Sequence, residues 1–294
     1  MDGPHSVLEW LSSGFLCGGI AFCVYRASQI WVCIGFHWRP VVLLSAVVPV
    51  LFAAARLPEV PILPSGGPLV QLDIALRCSM ALLISGILFH LQLASVAPTG
   101  AIDLRFPLAH GRFAIVEGGG TAVLNRHRAA PAQAFAIDIV ALNDRGRRAE
   151  GIGPEALGAY EILDRPVVAP SDGIVLDIAD GVPDTPIGSD NEASPTGNHV
   201  VLFCRVGGVG TTLLLAHLRP GSVAVRRGQR VRRGMPVGRV GNSGNSTEPH
   251  LHIHAVRGRE TDLRGLLASA EAVPMTFGGR YLTRNAIVHV PEPG

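Results

Sequence analysis

"GNSGNSTEPHLHIHAV", residues 241–256, sets histidine at every second position (His250, His252 and His254) between a Gly- and Ser-rich loop and an apolar run. Alternate residues of a strand share a face. The three imidazoles therefore stand on one side, with Leu251, Ile253 and Ala255 on the other. This period of two predicts a strand with one buried apolar face. At a rise of about 3.3 Å per residue, same-face neighbours are about 6.6 Å apart. Two neighbouring imidazoles can serve one metal centre, one as ligand and one on a bound water. Three in a row cannot all bind a single ion.

The same texture extends outward from this stretch. "GRFAIVEGG", "AFAIDIVAL", "NHVVLFCRV", "TTLLLAHL" and "VRRGMPVGRVG" are short, rich in Val and Ile, and bounded by Gly, Pro, Asn or Asp, the signature of strands joined by turns. "GPEALGAYEIL", Gly153 to Leu163, is the one stretch that reads as helix. The prediction is an all-β domain, sandwich or barrel-like, from about residue 101 onward. Two long connections, 143–165 and 180–197, are candidate walls of a site.

Residues 1–100 have a different composition. They carry only Arg26, Arg39, Arg56 and Arg77 against Asp2, Glu9, Glu59 and Asp73. A bilayer core needs about 20 apolar helical residues, and three stretches approach that length: 8–25, 40–56 and 76–96. Trp10, Tyr25, Trp31 and Trp38 fall near their ends, where interfacial aromatics are favoured. The expectation is a membrane domain over 1–100 with about three transmembrane helices. The loop Arg residues are balanced and leave its orientation open.

All 25 basic residues are Arg, against 23 acidic ones. That balance lacks the electrostatic footprint of a nucleic-acid binder. Of five cysteines, four lie in the apolar third and none has C-x-x-C spacing, which argues against a Cys-ligated zinc site.

The further donors must come from other segments. Asp138 is a lone carboxylate in the apolar run "QAFAIDIVAL", a costly burial unless paired or metal-bound. His217 ends "TTLLLAHL", and His127 lies in "NRHRAAPAQ". His254 reads as structural, and His199 in "GNHVVL" as a satisfied strand histidine. The Arg-rich run 226–234 reads equally as an anion site or as a solvated hairpin edge.

"FAIDIVAL", "APSDGIV", "GNHVVL", "LLLAHLRPGSV" and "GQRVRRGMPVGRVGNSGNSTEPHLHI" together resemble the lysostaphin-type (LytM-like) zinc metallopeptidases that cut peptidoglycan cross-bridges. The resemblance covers about residues 105–256. It implies a lysostaphin-like, duplicated hybrid motif β-fold and one Zn2+ ion. Carried over by position, Asp138 and His252 are ligands, and His250 and His217 are the catalytic pair. The commonest first motif of the family is H-x-x-x-D, but Ala134 stands four residues before Asp138. A subset has an Asn-x-His segment upstream, which "NRHRAAPAQAFAID" fits, so His127 becomes the third ligand, with His110 the alternative donor. Glu248 replaces the family's usual Gly before Pro-His.

The resemblance implies a zinc metallopeptidase domain over 101–273, a C-terminal tail over 274–294, and peptidoglycan stem or cross-bridge peptides as substrate. Such a substrate places the catalytic domain outside the plasma membrane, anchored in lipid by a multi-pass N-terminal part. A non-catalytic wall-binding member of the same fold and a zinc endopeptidase acting on a protein are the rival readings.

Overall fold

The computed structural model describes residues 6–54, 61–62, 67–189 and 191–292. The last two residues of the expected span 40–56, and residues 293–294 of the tail, lie outside them. The chain divides into two compact units. One comprises Met1–Ser28 and Phe36–Leu93, and the other Gln29–Gly35 and Ala94–Gly294. The described helices are α1 (Val7–Ala27), α2 (Trp31–Ile34), α3 (Arg39–Ala54) and α4 (Pro68–Leu93).

The first unit contains α1, α3 and α4. The Ser6 hydroxyl accepts from the Glu9 amide at 3.1 Å and caps the start of α1, satisfying one of the free amides of a helix N-terminus. Trp10 Nε1 ties α1 to α3 by donating to Val50 O at 3.0 Å. Large apolar side chains remain exposed on all three helices, among them Leu11, Leu44 and Leu82. Helices apolar on every side belong either in the core of a large protein or in hydrocarbon. α1 and α4, of 21 and 26 residues, are long and apolar enough to cross a membrane. α3 has 16 residues, or about 24 Å of helix at 1.5 Å per residue.

The second unit is built of strands. In chain order they are β1 (Ile102–Leu104), β2 (Gly111–Glu117), β3 (Ile137–Ala141), β4 (Pro166–Val168), β5 (Gly173–Ala179), β6 (Asn198–Val206), β7 (Val209–Leu218), β8 (Arg230–Val231), β9 (Pro236–Arg239), β10 (Leu251–Arg257), β11 (Met275–Phe277) and β12 (Ile287–Val290). An antiparallel eight-stranded sheet runs in the order β12-β2-β3-β10-β7-β6-β5-β8. β4 pairs with β9, and β1 with β11 in parallel. The tail 274–294 is thus part of this unit, since it supplies β11 and β12. The expected helix at 153–163 is instead a single 3-10 turn, Leu157–Ala159. Gly153 and Gly158 weaken helix there, and the flanking backbone pairs in extended form, with Glu150 N donating to Ala159 O and Glu161 N to Arg148 O.

The main core lies on one face of the sheet, where Leu251, Ile253 and Ala255 of β10 meet Leu213 and Leu215 of β7 and Ile137 and Ile139 of β3. The opposite face carries a smaller cluster, including Leu214, Ala216, Val256 and Leu266. His252 and His254 stand on that second face, as the alternation requires. β10 lies between β3 and β7, at the middle of the sheet.

Candidate metal centre

The β3–β10 register sets Asp138 directly opposite His252. His252 Nδ1 lies 2.9 Å from Asp138 Oδ1, and His127 Nε2 lies 2.8 Å from Asp138 Oδ2. Ligand atoms of His127, Asp138 and His252 all fall within 4.8 Å of one another. His127 comes from a 3-10 turn, Arg126–Ala129, not from a strand. Buried Asn125 builds that turn. Its Oδ1 accepts from His127 N at 3.1 Å, and its Nδ2 donates to Ala136 O at 3.0 Å, just before β3. The Asn-x-His spacing therefore has a mechanical reason: the amide clamps the turn to the strand that carries Asp138. His110 is absent from this group.

The hydrogen bonds around His252 test whether a metal fits. Leu266 O can only accept, so His254 Nε2 carries a proton and donates to it across 2.9 Å. Neutral His254 then has a bare Nδ1, which accepts from His252 Nε2–H at 2.9 Å. Neutral His252 is left with a bare Nδ1 facing Asp138 Oδ1. Burial, the leading cause in both, keeps the two imidazoles neutral, drawing His252 down to about 4 and His254 well below 6.5. Asp138 stays ionised. Burial alone would raise its pKa, but the charges of His127 and His250 and the hydrogen bond from His127 bring it well below the usual carboxylate range. A lone pair and a carboxylate facing each other at that distance repel, and a shared cation removes the repulsion. Imidazole and carboxylate donors with an open position suit a divalent zinc-like ion.

Two further histidines flank the trio. His250 precedes β10, and its Nδ1 donates to Glu248 O at 2.8 Å, leaving Nε2 3.8 Å from Asp138 Oδ1. The His217 ring lies 4.7 Å from that of His250 and 5.9 Å from that of His252, between centroids. Strict alternation along β7 would send His217 into the core, beside Leu213 and Leu215. A bulge prevents this: Asn198 pairs with Leu218 but Val200 with Leu215, so Ala216 and His217 together oppose His199. His217 takes φ +62°, the left-handed region, and Leu218 returns to the core. Bulges re-aim side chains in this way beside functional sites. Its Nδ1 donates to Ser243 O at 2.9 Å, which leaves Nε2 bare. Burial, then the neighbouring His250 and His252, hold His217 well below the ordinary value and so neutral.

The Gly-rich loop 241–244 packs against residues 194–197, and a Cβ on Gly197 or Gly244 would collide with backbone there. Ser243 Oγ, fixed in this contact, accepts from Asn198 N at 2.9 Å. His199 donates from Nδ1 to Gly197 O, while its buried Nε2 has no partner. Glu248 is held by Arg148 through contacts of 3.0 and 2.8 Å. Two cavities adjoin the metal trio. One, of about 550 Å³, is lined by His127, His217, His252, Thr196 and Asn245. The other, of about 260 Å³, is lined by Asp138, His250, Glu117, Glu248 and Arg148.

This is a three-donor candidate metal site with two imidazole bases at its rim, on an antiparallel sheet. Residues 159–263 match the family described as Peptidase family M23. The matched residues include His217, His250 and His252, whereas His127 and Asp138 lie upstream of them. Over 90 residues the chain is 32% identical to the peptidoglycan DD-endopeptidase ShyA of Vibrio cholerae serotype O1, covering 30% of this chain and 20% of that protein. The match thus spans about a fifth of that relative's length. Among solved structures, the catalytic domain of lysostaphin from Staphylococcus simulans is 24% identical, covering 37% of this chain and 77% of that one, with a TM-score of 0.26. A zinc-containing peptidase from Vibrio cholerae is 20% identical, covering 55% and 37%, with a TM-score of 0.29.

Proposed function

We propose that the protein is a zinc-dependent endopeptidase that hydrolyses peptide bonds in peptidoglycan stem or cross-bridge peptides. The observation that carries this reading is the bare His252 Nδ1 facing ionised Asp138, with His127 alongside. When bound by these three donors, zinc supplies Lewis acidity and lowers the pKa of a water to about 7.

The remaining chemistry belongs to the chain. With its Nδ1 proton engaged by Glu248 O, His250 offers Nε2 as the general base for the attacking water, and the same nitrogen returns the proton to the leaving amine. His217, neutral and bare at Nε2, orients the water as an acceptor. It can donate to a developing oxyanion only after taking up a proton. The peptidoglycan substrate is supported by the family and by the activity named for the ShyA relative.

Membrane tethering belongs to the same proposal. Gln29–Gly35 lies in the same compact unit as Ala94–Gly294. The chain between them must therefore cross a bilayer an even number of times. If α1 and α4 cross, α3 must cross as well, its length of 16 residues notwithstanding. Three crossings place the N-terminus on the inner side and the peptidase unit outside, at its substrate. Purified peptidoglycan incubated with the zinc-loaded full chain should release new muropeptides, and His250→Ala should not. Protein cleavage without muropeptide release would instead favour a protein substrate.

A further inference from the structure

The 260 Å³ cavity beside Asp138 and His250 has an unexpected wall. It is lined by Gln29, Val32 and Cys33, from the short segment that lies in sequence between α1 and α3. That segment is built into the peptidase unit. Gln29 Nε2 donates to Val116 O at 3.0 Å and to Glu117 Oε1 at 2.7 Å. Arg148 N donates to Val32 O at 2.8 Å, and Arg147 Nε to Ile34 O at 3.3 Å. Trp31 and Val32 are buried. The Arg148 guanidinium touches Cys33 Sγ and, on its other side, grips Glu248 two residues before His250. One arginine thus joins the segment to the loop that carries the base.

We propose that Gln29–Gly35 is a wall of the substrate cleft, and that this segment between α1 and α3 thereby selects which peptides reach His250. The inference rests on the peptidase reading above. Both cavities adjoin the trio, one at His127 and His252 and the other at Asp138 and His250. The one away from the segment, at about 550 Å³, falls within the roughly 300–1,000 Å³ usual for ligand sites, while the one against it falls below that range. The side walled by Gln29, Val32 and Cys33 admits only a short stretch of substrate. A peptidase unit cut off before residue 94 lacks this wall.

The test uses the zinc-loaded full chain and a soluble cross-linked peptide dimer prepared from peptidoglycan. Cys33→Trp fills the cavity, and Gln29→Ala removes two anchoring hydrogen bonds without adding bulk. We expect Cys33→Trp to raise KM at least tenfold and Gln29→Ala about threefold, with zinc content unchanged and kcat altered less than KM. Calorimetric binding of the same dimer to His250→Ala should weaken at least tenfold when Cys33→Trp is added. Cleavage with unchanged KM and Kd in both variants, or faster cleavage showing that the segment obstructs the cleft, would overturn this inference alone. Neither cleavage nor binding of the dimer by the unsubstituted chain would overturn the peptidase reading and this inference with it.

Discussion

His252 Nε2 and His254 Nδ1 share one hydrogen bond of 2.9 Å, and that bond decides which nitrogen of His252 faces Asp138. The chain of donors ends at a backbone carbonyl, Leu266 O, which cannot donate. The third histidine of the row is thus outside the candidate trio but sets the tautomer of the second. Partners of this kind commonly contribute 10–100-fold to metal affinity. His254→Leu should weaken zinc binding by about that factor, measured by competition with a chromophoric chelator. His254→Gln, whose amide oxygen can still accept from His252, should recover most of the loss. Equal affinities in the Leu variant and the unsubstituted chain would remove the relay from the account.

The proton competes with the metal at His127. Burial lowers its pKa, but the charge of Asp138 and their hydrogen bond outweigh that, and the net shift is upward from 6.5. In the metal-free protein, protonated His127 therefore adds stability that is present below its unfolded pKa and lost as pH rises through the folded one. For zinc the sign is opposite, since a ligand must be deprotonated. Zinc affinity should fall by about tenfold per pH unit below the raised His127 pKa, each ion displacing one proton there. Titrations from pH 5 to 8 should show this slope, and His127→Gln should flatten it.

His217 combines a strained backbone with a bare nitrogen. Removing a positioned acid–base group typically costs 10²–10⁴-fold, so His217→Ala and His217→Gly should both lower kcat by about that much while retaining zinc. The two should differ in stability. At φ +62°, glycine escapes a left-handed penalty of about 1 kcal/mol that alanine keeps. Denaturant unfolding should find the Gly variant the more stable by about that amount.

The apolar face of β10 makes a separate prediction. Ile253 is fully buried and pairs with Ile137 and Leu215 on its two neighbours. Ile253→Ala should destabilise the zinc-free unit by about 2–5 kcal/mol. The measurement belongs in chelator, because bound metal would add its own stabilisation.

The strand character of β10 was legible because period-two alternation is local, and Asp138 stood out because an unpaired carboxylate is costly in an apolar run. His217 could be placed only through the family resemblance, since its position depends on a bulge that alternation does not foretell. The Asn-x-His spacing pointed to His127, but the reason for it, the Asn125 clamp, is a tertiary fact. Nothing local marked Gln29–Gly35 as part of the peptidase unit. That segment sits in the charge-poor third, and its partners Glu117 and Arg148 lie about a hundred residues away. The helix expected at 153–163 failed because pairing with 148–150 outweighed a weak propensity interrupted by Gly158.

The central claim is that His127 completes a zinc site with Asp138 and His252. Zinc bound per chain, measured by mass spectrometry of the metal after dialysis against a weak chelator, tests it most directly. The account predicts one zinc per unsubstituted chain and near-complete loss in His127→Ala, Asp138→Ala and His252→Ala, with occupancy retained in His250→Ala. Full occupancy in a folded His127→Ala would contradict it.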